Sequence, residues 1–226
     1  MNLSFPAIIL NFKSYREAIG RRGLELAKTA ERVSSDTGVQ VAVCPNVVNL
    51  ETVAKTVSVP VLAQHCDPFE AGPYTGAVVA ESLKEIGVSG SLLNHSEKRL
   101  KLSDIASTVA RLRGLGLASV VCADDLYAAV SAAALEPEAL AVEPPELIGT
   151  GVSVSTARPE VVSGAVEKVK RVSTRVHVLC GAGVSSGDDV RRALELGSEG
   201  VLLSSAYVKS REPEKLLREM CRAMLF

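Results

Sequence analysis

The sequence predicts an α/β fold of one kind, a (β/α)8 barrel built as a single domain over residues 1–226. Three observations predict it. Eight short runs rich in Val, Ile, Leu and Ala alternate with eight longer stretches of helical period. The short runs are apolar on both alternating faces, as strands buried on both sides of a parallel sheet must be. No linker, low-complexity stretch or break in composition divides the 226 residues, which favours eight units closing on themselves over two small open sheets.

The elements follow in order. AIILN (7–11) is the first strand and REAIGRRGLELAKTAERV (16–33) its helix, with Gly38 placed to end that segment before VQVAVC (39–44). VVNLETVAKTV (47–57) leads to VPVLAQ (59–64). After the long loop HCDPFEAGPYTGAV (65–78), VVAESLKEIG (78–87) runs to Gly87. GSLLN (90–94) is the fourth strand. Its helix, LSDIASTVARLRGLG (102–116), has Ser103 as candidate cap and Gly116 as stop. ASVVC (118–122) precedes DDLYAAVSAAALE (124–136), where Asp124 is the candidate cap, and LAVE (140–143) precedes RPEVVSGAVEKVKRV (158–172). VHVLC (176–180) is followed by SGDDVRRALELG (186–197), capped by Ser186 and stopped by Gly197. GVLLS (200–204) and EPEKLLREMCRAM (212–224) complete the eighth unit.

Composition excludes several classes of function. The net charge is -1 and no block of like charge appears, so no nucleic-acid footprint is visible. No segment approaches membrane-spanning length, and MNLSFPAIILNFKSY lacks the basic region and cleavage site of an export signal, so a cytoplasmic protein is expected. The five cysteines (Cys44, Cys66, Cys122, Cys180 and Cys221) are scattered and none forms a C-x-x-C pair. They read as buried reduced thiols, with no metal site and no cofactor expected.

Barrel geometry turns position into function, because active sites of this architecture form at the C-terminal ends of the strands. Asn11 and Lys13 follow the first strand, Asn94, His95, Ser96 and Glu97 the fourth, and Glu143 the sixth. Glycines and hydroxyls, including Gly183, Ser204 and Ser205, follow the seventh and eighth. Glu143 closes an apolar run, where desolvation raises a carboxylate's pKa and makes it a better base near neutrality. Behind it, two prolines and a Gly-Thr-Gly suggest a lid. If His95 lies near a helix N-terminus, the dipole keeps its ring neutral and able to donate to a developing oxyanion. Lys13 supplies a fixed positive charge, with Glu97 as its candidate partner. His65 and His177 read as structural histidines without comparable polar company. GAGVSSG is a weak dinucleotide signal, because its third glycine comes one place late. It is a plausible phosphate nest, with Ser185 and Ser186 better read as turn and cap residues.

Three motifs together, NFK after the first strand, NHSEKR after the fourth and AVEPPELIGTG after the sixth, resemble triosephosphate isomerase in order and spacing along essentially the whole chain. The resemblance implies a TIM barrel that interconverts dihydroxyacetone phosphate and glyceraldehyde 3-phosphate without metal or cofactor. It implies that Asn11 and Lys13 bind substrate, His95 is the electrophile and Glu143 the base. Pro144, Pro145, Glu146, Leu147, Ile148, Gly149 and Thr150 become the lid, with Ile148 and Gly149 meeting the phosphate through their backbone. The chain departs from the common pattern in ways that resemble the family's compact archaeal branch. The lid opens with PPE in place of proline-valine-tryptophan. CGAG stands where YGGS is common, removing a tyrosine and moving a hydroxyl that would latch the lid, and Ser204-Ser205 replaces a glycine pair. The chain is about a tenth shorter than familiar members, with the missing length expected around the helices after strands four to six.

In the family the loop after the third strand, here with Tyr74 and Thr75, inserts into a neighbouring subunit, so a homodimer is the least assembly implied. The small apolar helix LYAAVSAAALEP suggests a further interface and a homotetramer. Rival phosphosugar barrels would need a metal-ligand set or another acid–base pair. A non-catalytic phosphate-binding barrel would lack Lys13, His95 or Glu143, and all three are present.

Overall fold

All five residues of β1 (Ala7–Asn11) are buried, so the strand has no face to offer water and must lie between neighbours on both sides. The computed structural model describes residues 3–149, 151 and 153–225. It places β1 between β2 (Gln40–Cys44) and β8 (Gly200–Leu203). The remaining strands are β3 (Leu62–Ala63), β4 (Gly90–Leu93), β5 (Ala118–Ala123), β6 (Ala139–Val142) and β7 (His177–Cys180). Every strand pair is parallel, in the order β2-β1-β8-β7-β6-β5-β4-β3. A parallel bridge between Val43 and Val61, with Val43 N–H donating to Pro60 C=O at 3.0 Å, joins the two ends and closes the ring.

Alternation along the strands divides the apolar residues into two cores. Ala7, Ile9, Ala42, Cys44, Leu62, Leu92, Val120, Ala141, Leu179 and Leu202 fill the barrel interior. Their neighbours Ile8, Leu10, Val41, Val43, Leu93, Val121, Leu140, Val178 and Val201 face outward against the helices. Among the described residues the helices are α1 (Arg21–Thr37), α2 (Leu50–Ala54), α3 (Ala80–Glu85), α4 (Leu102–Gly114), α5 (Leu126–Ala133), α6 (Val154–Ala157), α7 (Pro159–Val172), α8 (Gly187–Glu195), α9 (Ser205–Val208) and α10 (Pro213–Ala223). No helix among them is long and apolar enough to cross a membrane.

Several local expectations are corrected. The stretch 16–33 is not one helix: a 3-10 turn (Arg16–Ala18) precedes Gly20, whose φ of 62° breaks the chain, and α1 then runs on to Thr37. Ser103 caps nothing, because α4 already starts at Leu102. Asp125, not Asp124, caps α5 by accepting from Ala128 N–H at 2.8 Å, while Asp124 is engaged by Arg99 at 2.8 Å. Ser186 does cap α8, in a reciprocal box with Asp189. Gly38, Gly87, Gly116 and Gly197 all adopt positive φ where they end helical segments. The two four-residue helices α6 and α9 are too short to leave a periodic signal. Short helices are not concentrated after strands four to six. The helices after β2 and β3 have only five and six residues, against 13 in α4 and 14 in α7. The five cysteines are free and buried, and burial pushes the Cys180 thiol up to about 12.

Candidate active site

The C-terminal mouth of the barrel is built from left-handed turns that aim side chains inward. Directly after β1 the chain bends sharply at Lys13, whose φ is 48°. Two amide side chains hold that conformation. Asn11 Oδ1 accepts from Lys13 N–H at 3.0 Å, and Gln64 Nε2 donates to both Lys13 C=O (3.0 Å) and Cys44 C=O (2.9 Å). Lys13 Nζ then reaches Glu97 Oε1 at 2.9 Å, the ion pair expected from the sequence. The lysine side chain is only 11% exposed, while the glutamate is 59% exposed.

After β4 the chain turns through Asn94, at φ 57°. Asn94 Nδ2 donates to Cys122 C=O and its Oδ1 accepts from Leu100 N–H, both at 2.9 Å, so one side chain clamps the loop to β5 and to its own far end. His95 is thereby buried over the barrel, and its Nδ1 accepts from Glu97 N–H at 3.2 Å. A ring nitrogen that accepts carries no proton. With Nδ1 accepting, Nε2 is the ring nitrogen left to donate toward the cleft. The helix N-terminus considered for this role is not there, since α4 begins at Leu102; a single turn amide does the work. Ser96 is half-buried in that turn and outside the cleft's lining.

Glu143 follows β6 and extends its ladder, donating its N–H to Ala123 C=O at 2.8 Å. The side chain is 8% exposed, and Oε2 is buried without a hydrogen-bond partner. Room for it comes from Gly181: a Cβ there would lie 2.2 Å from Glu143 Cγ. Oε2 stands 3.8 Å from His95 Nε2. Beneath them, burial first, then the charge of Glu143 and a hydrogen bond to it, push the Cys122 thiol well above its ordinary value.

On the opposite wall β7 ends in a double left-handed kink, Ala182 (φ 64°) and Gly183 (φ 72°). After β8, Ser204 lies at the start of α9 with its Oγ buried and unpartnered, and the first amides of α9 have no intrahelical acceptor. Residues 145–147 form a 3-10 turn in which Leu147 N–H donates to Pro144 C=O at 3.0 Å. Glu146 Oε1 in that turn pairs with Arg158 Nη1 at 2.6 Å. Gly149 and Gly151 take positive φ (75° and 76°).

These groups enclose one cleft of about 270 Å³. It is lined by Asn11, Lys13, Tyr15, His95, Glu143, Ile148, Gly149, Gly151, Gly183, Ser185, Ser204 and Ser205, among others. Most of the residues singled out in the sequence therefore meet there. Glu97 lines an adjoining cavity of about 550 Å³, together with Asn11, Lys13, Gln64 and His65. Tyr74 and Thr75 stand exposed on their loop, where Tyr74 stacks on Phe69 at 4.4 Å between ring centroids. Thr150 lies outside the described residues. His65 and His177 do have polar company, contrary to expectation: Asp67 at 2.9 Å and Glu199 at 2.8 Å. Sequence reasoning missed Tyr15, Gln64, Gly181 and Cys122. Gln64 was within reach of the strand-end rule, since it closes VPVLAQ.

The chain is similar to known proteins over nearly its whole length. The sequence pattern of the family described as triosephosphate isomerase matches residues 6–223. A triosephosphate isomerase of Methanothermus fervidus is 50% identical over 219 residues, covering 97% of this chain and 99% of its own. That of Methanocaldococcus jannaschii is 48% identical over 215 residues, 95% of this chain and 98% of its own. That of Archaeoglobus fulgidus is 49% identical over 213 residues, 94% and 96% respectively. With the match running across all eight strands, the chain belongs to the triosephosphate isomerase family.

Proposed function

We propose that the chain is a triosephosphate isomerase that interconverts dihydroxyacetone phosphate and glyceraldehyde 3-phosphate through an enediolate. The observation that carries the assignment of roles is the buried carboxylate of Glu143, with an unpartnered oxygen, facing the Nε2 of His95 across one small cleft. Glu143 removes the proton α to the carbonyl and returns it to the neighbouring carbon. His95 donates from Nε2 to the oxygens on which charge develops, and Lys13, held by Glu97, balances that charge. Asn11 fixes the Lys13 turn and lines the cleft.

The phosphate is assigned to the opposite wall, at the backbone of Gly183, Ser204 and Ser205, with Ile148 and Gly149 closing over it from the lid. Closure excludes water, which strengthens the hydrogen bonds to the enediolate and prevents loss of its phosphate. Remote phosphate contacts drive that closure, so phosphate-free dihydroxyacetone is expected to be a very poor substrate. No step in this scheme uses a metal or a cofactor.

The assembly proposed is a homodimer at least. The Tyr74–Thr75 loop docks near a neighbour's cleft, and a tetramer forms through the apolar helix α5, where Tyr127 is 84% exposed. The protein is assigned to the cytoplasm. The decisive experiment is a coupled assay of the purified protein with glyceraldehyde 3-phosphate: isomerase turnover is expected, and its absence overturns the reading. Light scattering that shows an active monomer overturns the assembly.

A further inference from the structure

We propose that the ion pair between Glu146 and Arg158 is a latch that holds the lid against the cleft, so that Glu146 and Arg158 act as positioning residues for substrate capture. The proposal rests on the isomerase reading and on residues 144–150 acting as its lid. Glu146 sits in the 3-10 turn 145–147, and Arg158 lies beyond the lid, directly before α7, where Pro159 fixes the start of the helix. Oε1 and Nη1 are 2.6 Å apart, and in the same conformation Ile148, Gly149 and Gly151 form one wall of the cleft. The pair therefore ties the lid to the start of α7.

Two further observations favour a latch over a chance surface contact. Glu146 sits inside the 3-10 turn 145–147, which leads directly into Ile148 and Gly149, so a tether at Glu146 acts on both within three residues. Arg158 also has a second carboxylate within reach, Glu160 Oε1 at 3.7 Å from its Nε. When the lid lifts, the guanidinium keeps a partner and stays at its post, so opening is cheap and the latch can re-form. Both latch side chains are about half-exposed (47% and 56%), which makes the contact weak and reversible rather than a permanent staple.

A weak bias of this kind acts on the free enzyme. Apparent affinity falls in proportion to the fraction of molecules in the binding-competent conformation. Once substrate is bound, its phosphate supplies the closing contacts itself, so KM moves and kcat does not. The test is steady-state kinetics of Glu146→Gln, Arg158→Gln and the exchanged pair Glu146→Arg with Arg158→Glu, with glyceraldehyde 3-phosphate at low ionic strength and at about 1 M salt, where the screening length is roughly 3 Å. Each single variant is expected to raise KM about twofold to fivefold at low salt, the range an exposed ion pair supports. That difference should disappear at high salt, and the exchanged pair should restore wild-type KM. The backbone amides of residues 146–151 should exchange hydrogen faster in the single variants, a readout independent of turnover. Unchanged KM and unchanged exchange in both single variants overturn the latch, as does a loss of thermal stability with KM unmoved. A wild-type protein without isomerase turnover would instead overturn the parent reading, and the exchange data would still decide whether Glu146 and Arg158 tether the segment.

Discussion

His95 Nε2 and Glu143 Oε2 face each other at 3.8 Å, each on a side chain that is almost fully buried, and Glu143 Oε2 has no hydrogen-bond partner among the described residues. That separation is too long for a good hydrogen bond. It leaves the carboxylate free to accept a proton from carbon, and the imidazole free to donate to oxygen. The two strand ends that carry them, β6 and β4, are held apart by β5, whose Cys122 C=O accepts from Asn94 Nδ2 on the β4 loop.

Replacing the proposed base while keeping its shape separates chemistry from folding. Glu143→Gln is expected to fold normally, with unchanged circular dichroism, and to lose about 10²- to 10⁴-fold in kcat, the usual worth of a positioned general base. Turnover close to wild type in that variant would remove Glu143 from the mechanism.

Placement of the carboxylate is as consequential as its presence. Gly181→Ala puts a methyl group 2.2 Å from Glu143 Cγ and about 3 Å from its carboxyl carbon, so the side chain must move. A shift of about 1 Å at a reacting group costs on the order of 10²-fold in rate. The expected result is a large fall in kcat with little change in unfolding temperature. A wild-type rate would mean that Glu143 has room that the structure does not show.

The strand-end rule made most of this site legible before any coordinates, because polar residues that close apolar strands of a barrel can only lie on its rim. Lys13, His95 and Glu143 were found in that way. What it could not give was the scaffolding that holds them. Gly181 matters only through the atom it lacks, and Cys122 reads as one more small apolar strand residue. Neither consequence is visible without the neighbouring strand's register. The cap of α5 was misplaced by one residue because Asp124 and Asp125 are chemically equivalent in sequence, and only the Arg99 contact separates them. The extension of α1 to Thr37 was missed because Ser34, Ser35 and Asp36 are poor helix formers. The tertiary fold overrides that preference, with Thr37 and Ser34 bonding to backbone carbonyls.

Gln64 tests whether scaffolding controls chemistry. Gln64→Leu leaves Lys13 C=O and Cys44 C=O without the amide that bridges them and frees the unusual backbone of Lys13. A stability loss of about 1–3 kcal/mol is expected from the Lys13 C=O left without its donor, while Cys44 C=O keeps the Phe12 N–H at 3.0 Å. KM for the phosphorylated substrate should rise as Lys13 Nζ loses its fixed position. Denaturant melts and steady-state kinetics on the same preparation check both, and a change in stability alone would make Gln64 merely structural.

At the opposite end of the barrel, Glu199 provides a pH test that does not involve the active site. Burial pushes its carboxyl upward, but hydrogen bonds from Lys170 (2.8 Å) and His177 (2.8 Å) outweigh burial and hold it below its ordinary value of 4.5. Phe5 covers the assembly by stacking on His177 at 4.1 Å. A carboxylate whose pKa is lower in the folded state than in the unfolded one binds fewer protons when folded. Its contribution is therefore fully present above about pH 4.5 and is lost as pH falls through the folded-state value. Glu199→Gln should cost about 1 kcal/mol at neutral pH, allowing for the carboxylate's partial exposure. The difference from wild type should shrink as pH is lowered from about 5 toward 3. Denaturant titrations of both proteins across that range measure it directly. A difference independent of pH would show that the Glu199 charge does not stabilise the fold.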